Sequence, residues 1–204
     1  MTGAEVAGLR NAPRPRPRPR PVGPERPSTL AVGVMVWLAS ELMFFAGLFA
    51  SYFTIRATTT VWPPPDVELD PIREGLFTVV LIVSSFTMQA ADHRIRNEER
   101  KAARKWIVVT LVLGAVFLGN EVLEWLTIGF TPSTDAYGSL FFLLTGFHGL
   151  HVFIGLILMI ALLGRLVGPG PDPGDGPAAT AVTYYWHFVD VVWVGLYITI
   201  FLIK

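Results

Sequence analysis

Seven ionisable side chains stand inside long apolar runs of this 204-residue chain: Glu41, Glu121, Glu124, His148, His151, His187 and Asp190. Charged or titratable groups at such positions are costly in a membrane. They are therefore expected to face protein and to be paired or functional. Six of them form i, i+3 pairs, namely Glu121/Glu124, His148/His151 and His187/Asp190, a spacing that puts both members on one helix face. Three such faces together with Glu41 predict one shared polar interior. Histidine is the commonest metal ligand, and helical bundles present ligands from facing helices. A bis-histidine haem would need His187 at the depth of His148 or His151, and the fact that these last two share one run counts against it, so no metal site is expected. In a second reading the acids and histidines satisfy one another across helix contacts or bind lipid headgroups. In a third they handle protons.

The elements that must position these residues follow from composition. Hydrophobic residues make up 52% of the chain, charged residues 16%, and the mean hydropathy is +0.51. The charges are segregated into the first 29 residues and a few short linkers. Apolar stretches of about 20 residues between them suit helices crossing a hydrocarbon core about 30 Å thick. Backbone groups in lipid must be satisfied internally, and continuous rather than alternating apolar runs argue against a β-barrel. The fold class expected is therefore an all-α integral membrane protein. It is a five-transmembrane-helix bundle with helices at about 30–55, 72–91, 106–128, 139–163 and 180–203. The first run is too long for a signal-peptide core and is expected to stay in the membrane.

The absence of cysteine excludes disulfides, zinc–thiolate sites and iron–sulfur clusters. Residues 1–29 carry a strict Pro-Arg alternation from Pro13 to Pro21, which favours an extended, disordered cationic tail beside anionic headgroups. Of the sixteen Lys and Arg residues, thirteen fall on one side. They are Arg10, Arg14, Arg16, Arg18, Arg20 and Arg26 of the tail, Arg94, Arg96, Arg100, Lys101, Arg104 and Lys105 of the second linker, and Arg165. Only Arg56, Arg73 and Lys204 fall on the other. This bias predicts a cytoplasmic N-terminus and an outside C-terminus. No internal repeat is visible, which weakens a transporter reading.

Three stretches, in this order, resemble subunit III of the haem-copper cytochrome oxidases. The first is Ser40-Glu41-Leu42-Met43-Phe44-Phe45-Ala46-Gly47-Leu48-Phe49, followed by Trp62-Pro63-Pro64. The second is Tyr137-Gly138-Ser139-Leu140-Phe141-Phe142, running into Thr145-Gly146-Phe147-His148-Gly149-Leu150-His151-Val152. The third is Tyr185-Trp186-His187-Phe188-Val189-Asp190-Val191-Val192-Trp193. The short form, without two leading helices, is similar to bacterial and especially actinobacterial versions.

The resemblance implies a non-redox accessory subunit in the bacterial plasma membrane. It would carry no cofactor, with haem and copper in partner subunits. Its partners would be oxidase subunit I (directly), subunit II and phospholipids, with no nucleic acid. Glu41 matches the family's buried glutamate that reacts with hydrophobic carbodiimides. His148, His151, His187 and Asp190 match its polar positions in the last two helices, and Arg165 matches a residue contacting lipid phosphate. Glu124 falls on a family glutamate, whereas Glu121 stands where the family usually has Gln and adds a second protonatable group. The family's V-shaped lipid cleft needs the two missing helices and is not expected in this chain alone. Two alternatives remain at this point: subunit III of a quinol oxidase or a nitric-oxide-reductase-associated relative, and an independent proton or ion transporter.

Overall fold

A computed structural model describes residues 29–65, 67–168, 170 and 172–203. All of the predicted tail except Thr29, together with Asp66 and Lys204, lies outside the described residues. The described chain forms five long helices: α1 (Thr29–Thr58), α2 (Pro71–Arg96), α3 (Arg100–Thr127), α4 (Ala136–Val167) and α5 (Asp175–Tyr197). A π-helical turn, Ile198–Leu202, continues α5. Each is long and apolar enough to cross a membrane. At 1.5 Å per residue, the 30 residues of α1 reach about 45 Å, beyond the apolar core itself.

The helices overrun their apolar stretches because charged residues at their ends find partners. α2 continues through the charged stretch to Arg96. There Arg96 Nε lies 2.9 Å from Asp92 one turn earlier, and both side chains bond Thr180 on α5. α5 begins at Asp175, which is held by Arg100 Nη2 at 3.5 Å and Arg165 Nε at 3.4 Å. Where no such pair exists, capping sets the start. Asp70 accepts the amides of Ile72 and Arg73, with Pro71 in the first turn, and Asp135 accepts that of Gly138.

Short connections make sequential neighbours antiparallel. α2 packs on α3, α3 on α4 and α4 on α5, while α5 closes the bundle against α2. α1 lies outside this group of four, against α4 and α5. Its contact row is Ala31, Leu38, Phe45 and Tyr52, spaced seven apart, the narrow seam of a helix that touches its neighbours on one edge only.

Trp186 of α5 is the centre of the packing. Its benzo ring fills a slot opened by two glycines. A Cβ added at Gly114 of α3 would sit 2.8 Å from Cη2, and one at Gly155 of α4 would sit 2.7 Å from Cε3 and Cζ3. Its indole N–H donates to Ser84 Oγ of α2 at 2.9 Å. One fully buried side chain thus joins four helices. Seven residues on, Trp193 repeats the arrangement by donating to Thr78 Oγ1 of α2 and packing edge-on to Phe117 of α3.

Candidate functional site: separate polar stations in the bundle

The shared polar interior expected from the i, i+3 pairs does not form. Three residues advance a helix by about 300°, leaving their side chains about 60° apart. In α4, which meets α1, α3 and α5, that angle sends His148 and His151 to different contacts, whereas the pairs on α3 and α5 each stay in one station.

His151 turns to α1. Its Nε2 lies 3.3 Å from Glu41 Oε2, and its Nδ1 lies 2.6 Å from the Phe147 carbonyl one turn back. A carbonyl only accepts, so Nδ1 carries a hydrogen. Nε2 and the carboxylate then meet as two acceptors unless a proton lies between them. The Tyr185 hydroxyl donates to the His151 carbonyl, and Phe45 and Tyr185 flank the ring. The station is partly open, with the Glu41 side chain 24% exposed near the middle of α1.

His148, three residues earlier, turns the other way. It is wholly buried between Phe117 of α3 and Trp193 of α5, and neither ring nitrogen has a hydrogen-bond partner. The two histidines of α4 therefore do not act as one ligand pair. Among the described residues no group of three or more His, Asp or Glu side chains is placed to hold a metal ion.

The pair on α5 stays together and meets α2. Ser85 Oγ donates to Asp190 Oδ2 and lies 2.8 Å from His187 Nδ1, while His187 Nε2 lies 3.1 Å from the Gln89 side chain. If Ser85 gives its only hydrogen to Asp190, it accepts from His187 Nδ1–H. Nε2 of the neutral ring and Gln89 Oε1 then meet as two acceptors unless the amide is turned to present its nitrogen. This relay borders a cavity of about 520 Å³ lined by Ile82, Phe86, Val191 and Val194 on the outer face of the α2–α5 contact.

The third station joins α2, α3 and α4 at the end of the bundle opposite Thr29. Glu121 and Glu124 are buried here with a third acid, Glu74 of α2. Asn120 donates to Glu74 Oε1 at 2.8 Å and accepts from Arg73 Nε at 2.8 Å. Sequence reasoning missed Glu74 because it adjoins Arg73 at a helix start, where an acid reads as a solvated first-turn residue. The signal that could have found it is the row Glu74, Thr78, Leu81, Ser85 and Met88, spaced three or four apart along the buried face of α2.

Arg165 has protein partners on its own linker. It lies 3.5 Å from Asp172 and 3.4 Å from Asp175, and about half of its side chain remains exposed. Arg100 braces the same corner by donating to the Arg165 carbonyl at 2.9 Å.

Five spanning helices whose ionisable groups are locked into helix contacts define a polytopic helical membrane protein. The family model for cytochrome c oxidase subunit III matches residues 26–204. A protein of Mycobacterium leprae (strain TN) named "Probable cytochrome c oxidase subunit 3" is 46% identical over 182 residues, covering 88% of this chain and 90% of the relative. One of Nocardia farcinica with the same name is 44% identical over 183 residues, with the same coverage. The "Cytochrome c oxidase subunit 3" of Thermostichus vulcanus is 38% identical over 180 residues, again covering 88% and 90%. The chain belongs to the cytochrome c oxidase subunit III family.

Proposed function

We propose that this chain is the non-redox accessory subunit III of a proton-pumping respiratory oxidase. It packs on the catalytic subunit I of a multi-subunit complex in a bacterial plasma membrane, and haem and copper are held by partner subunits. It binds phospholipid and supports proton uptake during the reduction of oxygen to water. The N-terminus lies in the cytoplasm. Arg94, Arg96, Arg100, Lys101, Arg104, Lys105 and Arg165 gather at the end of the bundle where α1 begins, and Arg56 and Arg73 lie at the other, in keeping with the charge rule.

The observation that carries this reading is the Glu41–His151 station. The pair, which a shared proton would satisfy, is partly open on α1, the least enclosed helix, where lipid alone would leave it poorly solvated. A partner surface against α1 would cover it and could exchange its proton. The exposed edge of the Arg165 guanidinium suits a lipid phosphate, which would share it with Asp172 and Asp175.

The test is purification of the tagged chain from native membranes in mild detergent, read by visible spectroscopy and mass spectrometry. Co-purification of a large haem-bearing subunit is expected, and the accompanying subunit II identifies the electron donor. A colourless chain recovered alone that moves ions in liposomes would replace this reading with a transporter.

A further inference from the structure

Glu74, Glu121 and Glu124 are 1%, 1% and 6% exposed. Both carboxyl oxygens of Glu121, one of Glu74 and one of Glu124 are buried without a hydrogen-bond partner. Glu74 and Glu124 lie within electrostatic reach of Glu121. Arg73 lies 3.9 Å from Glu74 and within electrostatic reach of Glu124. Three carboxylates beside one guanidinium would leave two uncompensated negative charges in a buried helix contact, which is strongly unfavourable.

Other buried groups point to the same place. Tyr137 of α4 is 2% exposed, its hydroxyl has no hydrogen-bond partner, and Glu124 is within its electrostatic reach. From the α4 side Gly149 makes room for Glu121, where an added Cβ would lie 3.2 Å from Oε2. Asp70 adds a further negative charge at the rim. The local inventory is thus rich in acceptors and short of donors. Protons on the carboxyls would supply donors and remove the uncompensated charge together.

We propose that Glu74, Glu121 and Glu124 form a buried proton-holding site, with Glu121 a neutral carboxylic acid whose proton exchanges with the aqueous phase. Glu124, the least buried of the three, is the member through which exchange reaches the end of the bundle. This site is distinct from the Glu41–His151 pair, and the proposal does not depend on the oxidase reading.

Infrared spectra of the chain, purified with whatever partners it retains, test it in H2O and D2O. The expected result is a carboxylic-acid carbonyl band that shifts down in D2O and loses one acid's intensity in Glu121→Gln. A loss in the carboxylate region instead would show an ionised Glu121 and overturn the proposal. So would an acid band that D2O leaves in place. Should Glu121→Gln fail to reach the membrane, Tyr137→Phe and Glu124→Gln report on the same site. A shift in the remaining acid band supports the proposal, and an unchanged band in both refutes it.

Discussion

The slot around Trp186 gives the sharpest structural prediction. In Gly155→Ala the new methyl carbon would lie 2.7 Å from two carbons of a rigid, fully buried ring. The ring cannot swing away, because its other edge already fills the gap at Gly114 and its N–H is bonded to Ser84. The helices must part or the ring must leave its rotamer, and overpacking of this kind costs about 1–3 kcal/mol. That lowers the folding constant roughly 5- to 150-fold.

The ring atoms that clash belong to the benzo half of the indole, so Trp186→Phe removes them. Alone it also destabilises, by leaving space in the slot and Ser84 without its donor. Combined with Gly155→Ala the two costs should fall short of additive by about 0.5–3 kcal/mol, the range for residues in contact. Pulse proteolysis of the chain across a series of SDS mole fractions in mixed micelles would measure all four states. A neutral Gly155→Ala, or strictly additive costs, would refute the assignment of Trp186 as the piece that spaces α3, α4 and α5.

Other outcomes concern the polar stations and the topology. Glu41→Gln replaces an acid by an amide that can still donate to His151, so assembly should survive while turnover-dependent inactivation speeds up; unchanged kinetics in an assembled oxidase would remove Glu41 from proton uptake. Asp190→Ala takes away the acceptor of Ser85 and should cost about 1–3 kcal/mol in the same proteolysis assay, because a buried donor loses its partner. Arg100→Met should release the corner where Asp175 starts α5, at a cost of about 1.5–3 kcal/mol, with faster protease cleavage between residues 168 and 174. The chain has no cysteine, so single cysteines report topology cleanly. An impermeant maleimide should label Ser133→Cys in intact cells, and Asn97→Cys only after permeabilisation.

The sequence by itself determined the class of fold. Five apolar runs separated by charged linkers admit little else in lipid, where backbone groups must be satisfied within each helix. The three motifs around Glu41, His148 and His187 sufficed to suggest the family. The sequence also singled out side chains that had to be buried, because ionisable groups stand out against an apolar background. What it could not supply was their grouping. His148 and His151 look like a pair, yet one meets α3 and α5 and the other α1, since a three-residue step is not quite a full turn and each helix has several neighbours. Glu74, beside an arginine at a helix start, resembles a solvated residue until α3 closes over it with Asn120 and Glu121. The overrun of α2 to Arg96 and of α5 back to Asp175 escaped hydropathy for a related reason. Those turns are held by ion pairs and hydrogen bonds between residues far apart in sequence, which only the packed bundle brings together.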